Sequence, residues 1–388
     1  MTGLSEALRP EARDVQTSGI LEVFNYGRGR KDLIPLYVGE GDLPTPAFIC
    51  DAASEAMRRG ETFYAQKRGI PELRQALIDY HQRIYRIRLA DDRIAVTSAG
   101  MNAMMLAMEC LVGPGDNVVC VTPVWPNIFA TVAIMGAEVR QFSLDPTPLG
   151  WQLDLDRLFA ACDENTRVIY LASPGNPTGW VMSRAQQLAL LEFARKRGLW
   201  IVADEVYARI VYDGAPAAPS FLELAEPDDP LVVVNSFSKA WAMTGWRIGW
   251  MIMPARLTAV VDKLIEFNTS GAQPFLQHAC AVALNQGEPF VAEMVARYRT
   301  GRELVLQRLG AMPRVRIVRP EAAFYVMFGV DGMTDSLAFA KRLVHETRVG
   351  LAPGSAFGPG GEGHLRLCFA ASLDRLSQAM DRLEPALS

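Results

Sequence analysis

Half of the 388 residues are apolar, and glycine and proline are spread along the whole length, so the chain can bury a core large enough for two domains. A formal charge of −4 and the absence of any long run of lysine or arginine exclude an obvious nucleic-acid arm and favour small-molecule chemistry. Six scattered cysteines without C-x-x-C pairs and four isolated histidines (His81, His278, His345, His364) give no pattern for a zinc or iron site and no base for a Ser-His-Asp triad. The thiols read as core cysteines of a reducing cytoplasm.

In chain order, the opening stretch MTGLSEALRPEARD is polar and lacks both the apolar segment and the cleavage site of a secretory signal. Gly39 to Pro46 has the composition of a loop that approaches something closely. From Arg93 onward, short β-branched runs alternate with helical stretches. Strands are expected at 93–98, 117–121, 138–142, 167–172, 200–205, 231–237 and 247–253. Ala99 to Gly113 reads as a buried helix rather than a membrane span, because Asn102 and Glu109 interrupt it and a Gly-Pro-Gly turn follows. Leu188, Leu191, Phe193 and Ala194 stand at helical spacing before Gly198 ends the run. After Val261 long helices surround two or three strands, the clearest at 324–328 and 364–369. The whole predicts a large α/β domain with a mostly parallel sheet flanked by helices, at residues 43–270. A smaller α+β domain is expected from residues 1–42 and 271–388.

Candidate catalytic residues cluster at the C-terminal ends of the expected strands, where open α/β sheets place their ligands. Lys239 leaves the apolar strand that ends in Ser236-Phe237-Ser238, with Arg247 eight residues on. Burial and nearby cations would lower its pKa and make it a Schiff-base nucleophile. Asp204 closes the run WIVADE, where a carboxylate is costly unless a cation meets it; by itself it reads equally as a helix N-cap. Ser173 to Gly179 (SPGNPTG) forms a rigid turn that presents Asn176 at the sheet edge.

Taken together, Gly175 to Gly179, Asp204 to Tyr207 (DEVY), Ser236 to Lys239 (SFSK) and Gly245 to Gly249 (GWRIG) resemble the class I/II aminotransferases of the fold-type I pyridoxal-phosphate family. The likeness runs from about Gly39 to the last helix. It implies that Lys239 binds pyridoxal 5'-phosphate and then moves the proton between substrate and cofactor. It further implies that Asp204 pairs with the pyridine nitrogen, that Asn176 and Tyr207 hold the phenolic oxygen, and that Trp125 stacks on the ring. The phosphate would lie on the backbone of Gly100, Met101 and Asn102 at a helix N-terminus, with Ser236, Ser238 and Arg247 completing its shell. Arg366 would grip the substrate α-carboxylate, aided by the backbone at Gly39 and by Trp125 and Asn176. Tyr64 resembles a tyrosine that reaches the phosphate of a neighbouring subunit, which implies a homodimer with shared sites. Two departures stand out: Met101 replaces a usual Ser or Thr, and Gly41 a usual Pro, which suggests a looser loop.

On this resemblance the chain transfers an amino group from an L-amino acid to a 2-oxo acid in a ping-pong cycle. Elimination by a C–S lyase on the same scaffold is the alternative, and a non-catalytic sensing module a remoter one. No second arginine stands out for a distal carboxylate. Phe24, Tyr26, Trp125 and Phe357 make neutral or aromatic amino acids as credible as aspartate. Neither nucleic acid nor membrane is expected as a partner.

Overall fold

The computed structural model describes residues 8–147 and 150–388, so the first seven residues of the opening stretch lie outside it. After a single helical turn at Pro10–Arg13 come three longer helices: α1 (Gly19–Gly27), α2 (Ala47–Arg58) and α3 (Pro71–Tyr85). The central region then runs β1 (Ile94–Thr97), α4 (Gly100–Leu111), β2 (Asn117–Thr122), α5 (Asn127–Ile134), β3 (Glu138–Ser143), β4 (Thr166–Ala172), α6 (Arg184–Arg197), β5 (Trp200–Asp204), β6 (Leu231–Ser236) and β7 (Gly249–Ile252). These seven strands form one sheet in the order β1-β7-β6-β5-β4-β2-β3. Only β7 pairs antiparallel with its neighbours; every other pairing is parallel.

Residues of each strand alternate between two cores. Val119, Val121, Ile169, Ile201 and Trp250 pack on one face, and Val118, Cys120, Tyr170, Val202 and Met251 on the other. Burial on both faces explains why the strands read as continuous apolar runs rather than alternating ones. In α6, Ser183 and Gln186 cap each other's backbone and Gly198 ends the helix in the left-handed region. Its buried face is Gln187, Leu190, Leu191 and Ala194, whereas Leu188, expected on that face, is exposed.

The C-terminal region carries α7 (Thr258–Asn268), α8 (Pro274–Gln286), α9 (Glu288–Gly310), β8 (Val315–Ile317), β9 (Tyr325–Val330), α10 (Ser336–Thr347), β10 (Ala352–Pro353), β11 (His364–Cys368) and α11 (Leu373–Leu387). Four strands, rather than two or three, make an antiparallel sheet in the order β8-β9-β11-β10. Their core also takes in Val23 of α1 together with Leu36 and Tyr37, which joins the N-terminal segment to the C-terminal part. Helix α8, in contrast, packs on α2 and α3, and its Ala279, Cys280 and Ala283 belong to the core of the large sheet.

Most strand ends fall within a residue or two of expectation, and two of the differences have a clear local reason. β6 stops at Ser236 because the Ser236 hydroxyl accepts from the Ser238 amide at 3.1 Å and turns Phe237–Ala240 into one helical turn. β7 begins at Gly249, not Arg247, because Arg247 lies in the left-handed region at φ 56°. No described helix is long and apolar enough to cross a membrane.

Candidate active site

A cavity of about 610 Å³ opens over the C-terminal ends of β4, β5 and β6. Its walls bring together Gly39, Gly100, Met101, Trp125, Asn176, Asp204, Tyr207, Ser236, Ser238, Lys239, Arg247 and Arg366, twelve of the residues singled out from the sequence. The fold explains the gathering: parallel strands deliver their C-terminal residues to one edge, while β11 of the C-terminal region and the segment at Gly39 close over it.

Lys239 sits in the turn after β6 and donates from Nζ to the Gly39 carbonyl at 2.6 Å. Burial brings its ammonium down from 10.5 to about 8, with Arg366 and Arg247 pushing the same way and Cys368 and Glu40 opposing. The neutral form that a nucleophilic amine needs is therefore far more populated near neutral pH than in an ordinary lysine. Asp204, at the end of β5, accepts from the Val206 amide at 3.1 Å and from the Tyr170 hydroxyl at 3.3 Å. Burial lifts its carboxyl to about 6, against the pull of those two hydrogen bonds.

Arg366 is 2% exposed on β11 and has no carboxylate within ion-pair distance among the described residues. Nη1 donates to Asn176 Oδ1 at 3.0 Å and Nη2 to the Tyr37 carbonyl, while Nε is buried with no partner. Tyr325 and Phe357 lie against the guanidinium, 4.5 and 5.0 Å from their ring centroids. Tyr325 also shares a 2.6 Å hydrogen bond with the Tyr207 hydroxyl and stands where a side chain at residue 39 would collide, 2.5 Å from an added Cβ. Gly39 is thus required by close approach, not by its own φ. Burial raises the Tyr207 phenol above its ordinary range. The sequence does not mark Tyr325, because it sits in a wholly buried strand where nothing separates a site tyrosine from a core one.

At the far end of the cavity, Ala99 takes φ 95° to start α4, whose first amides belong to Gly100 and Met101. The amides of Asn102 and Ala103 are both taken by the Ala99 carbonyl, so an anion here meets Gly100 and Met101 first. β7 crosses directly beneath: a Cβ at Gly249 would lie 2.5 Å from the Gly100 nitrogen and 2.8 Å from the Asn235 carbonyl. Ser236 and Ser238 share a 2.8 Å hydrogen bond, and Arg247 is anchored by a 2.6 Å bond to the Thr244 carbonyl.

Several expected residues lie elsewhere. Asn102 faces away from the cavity, accepting from the Ser98 amide and donating to Asn268. Tyr64 is 94% exposed and outside the cavity of its own chain. Tyr26 stacks with Arg30 rather than lining the cavity, and Phe357 is buried behind Arg366. The loop at Gly41 is tied down rather than loosened. Asp42 pairs with Arg297 at 2.8 Å and its amide donates to the Ala370 carbonyl, and the Tyr298 hydroxyl occupies the space a side chain at residue 41 would need.

A seven-stranded sheet with one antiparallel strand and a lysine of lowered pKa at its edge defines an enzyme of the fold-type I class. The chain belongs to the class I and II aminotransferases, whose family model matches residues 31–383. It is 34% identical over 358 residues to an aspartate aminotransferase of Thermotoga maritima, covering 92% of each chain. It is 33% identical over 359 residues to an arginine–pyruvate transaminase of Pseudomonas aeruginosa, covering 91% of this chain and 89% of that one. The structure of an alanine aminotransferase from Pyrococcus furiosus superposes with a TM-score of 0.92 over 98% of this chain and 99% of that one, at 26% identity. Amino-group transfer is the activity these relatives share, and the elimination reading is not favoured.

Proposed function

We propose that the cavity holds pyridoxal 5'-phosphate bound through Lys239, and that the enzyme exchanges an amino group between an L-amino acid and a 2-oxo acid in two half-reactions. The observation that carries this reading is a charge pattern: Lys239, Arg247 and Arg366 all line one cavity and, among the described residues, none has a carboxylate within ion-pair distance and Asp204 is the only acidic wall residue. Two anions and one cationic ring nitrogen are what such a cavity lacks. The residues present fit the cofactor. Gly100, Met101, Ser236, Ser238 and Arg247 would take its phosphate, Asp204 its ring nitrogen, Asn176 and Tyr207 its phenolic oxygen, and Trp125 one ring face.

When bound, the cofactor supplies an electron sink for the carbanion that forms at the substrate Cα. Arg366, with Gly39 and Asn176 beside it, fixes the α-carboxylate so that the Cα–H is presented to Lys239. The neutral Lys239 amine would take that proton and hold it at Nζ for return, general-base work worth about 10²–10⁴ in rate. Tyr325 keeps the Tyr207 hydroxyl aimed by their shared hydrogen bond.

The assembly and setting belong to the same proposal. Tyr64, Phe63 and Phe267 are 94%, 81% and 85% exposed, which supports a homodimer in which Tyr64 completes the neighbouring subunit's phosphate site. All six cysteines are free, which supports a reducing cytoplasm. The packing of α8 supports extending the cofactor domain from residues 43–270 to include that helix, the rest forming the smaller domain. A single-turnover assay tests the reaction: an amino acid without acceptor is expected to release one equivalent of its 2-oxo acid and no ammonia, and a second 2-oxo acid to take the amine back. Continued 2-oxo acid production with ammonia and no acceptor would overturn it.

A further inference from the structure

Helix α1 departs from the usual logic of a surface helix. Its inner side is fastened to the C-terminal domain by fully buried Val23 and by a 2.9 Å pair between Glu22 and Lys341. Yet two large apolar residues of α1, Leu21 and Phe24, are 47% and 42% exposed. Both line the cavity, as does Ile20, and the three stand at positions i, i+1 and i+4, one face of the helix. Ser18 fixes where that face begins, its hydroxyl accepting from the Ile20 amide at 3.2 Å. Phe24 meets Tyr37 edge to face at 5.9 Å, and the Tyr37 carbonyl accepts from Arg366, so this apolar wall adjoins the arginine. Met101 and Trp125 belong to the lining as well.

The charges lining the cavity are few. Among the described residues its cations are Lys239, Arg247 and Arg366, and its only carboxylate is Asp204. With those four engaged as proposed above, this chain offers no cation to a second carboxylate on the substrate and no acid to a basic side chain. We infer that Ile20, Leu21 and Phe24 form the pocket for the substrate side chain, and that the preferred amino donor carries an uncharged apolar or aromatic side chain. This rests on the reading that Arg366 holds the α-carboxylate.

The test is a series of kcat/KM values for phenylalanine, leucine, alanine, aspartate and arginine with a fixed 2-oxo acid acceptor. Phenylalanine and leucine are expected to exceed aspartate and arginine by about tenfold or more. Phe24→Ala is expected to cost phenylalanine about tenfold more than it costs alanine, and Leu21→Arg to raise aspartate relative to phenylalanine. Both positions are half exposed, and an unchanged absorbance of the bound cofactor verifies that the variants fold. A wild-type preference for aspartate or arginine overturns the inference, and so do variants that change all five substrates alike. Failure of every amino acid to react would instead strike the underlying reading of the site.

Discussion

Replacing Arg366 by lysine keeps the charge and removes the fork. The wild-type guanidinium is held by Asn176 at 3.0 Å, by the Tyr37 carbonyl and by the rings of Tyr325 and Phe357, which leaves the buried Nε without a partner in the protein. A substrate carboxylate would supply one. An ammonium on a flexible stem can neither keep those anchors nor present two parallel donors. Losing at least one charge-assisted hydrogen bond to the carboxylate costs about 1.5–3 kcal/mol, which is about 10- to 150-fold in kcat/KM. The assay is the rate of each half-reaction across amino acid concentration, with cofactor affinity measured separately by absorbance. Both half-reactions are expected to fall together while cofactor affinity changes little. An Arg366→Lys enzyme that keeps its kcat/KM, or that loses cofactor as severely as substrate, would refute the role given to this residue.

Other outcomes follow from the same geometry. Because burial sets the Lys239 ammonium near 8, capture of pyridoxal phosphate by the cofactor-free protein should accelerate with pH and level off above about 8. A rate still climbing toward pH 10 would show an ordinary lysine. Asp204 has its folded pKa raised from 3.8 to about 6, so the stability linked to its protonated form is present below about 4 and lost as pH rises through 6. Asp204→Asn should therefore stabilise the cofactor-free protein at pH 8 by at most about 3 kcal/mol, less where cavity water screens the charge, while abolishing most activity. Thermal melts at pH 4 and pH 8 check this, since the gain should vanish at the lower pH. Gly249→Ala pushes a methyl into the backbone of Gly100 and Asn235, and a clash of about 1–3 kcal/mol should weaken cofactor binding about tenfold or more, measured by titration. Tyr325→Phe should move the pH midpoint of the bound cofactor's absorbance in the same direction as Tyr207→Phe and by less, because it removes only the partner of the Tyr207 hydroxyl.

Much of the site was legible because its chemistry is local in sequence. Asn176, Asp204 and Lys239 each stand at the end of an apolar run, so strand recognition alone delivers them to one sheet edge. The walls brought in by other elements were harder to read. Tyr325 reaches Tyr207 across 118 residues, and no periodicity encodes that contact. Phe24 and Tyr26 looked equivalent as aromatics, but two residues along a helix turn the side chain about 200°, which sends Tyr26 to Arg30 and leaves Phe24 on the cavity. The family resemblance implies the Asn102 amide at the phosphate, whereas the helix start spends that amide on the Ala99 carbonyl. The placement of α8 also escaped the sequence. The change of texture after Val261 marked a new run of helices, and only packing shows that one of them still covers the large sheet.

The central claim is that Lys239 carries the cofactor through which the amino group moves. Borohydride reduction of the holoenzyme followed by peptide mapping tests it most directly. The account predicts a single phosphopyridoxyl label, on the peptide containing Lys239, and an enzyme that no longer transfers amino groups. A label on any other lysine, or a Lys239→Ala protein that still transaminates at the normal rate, would contradict it.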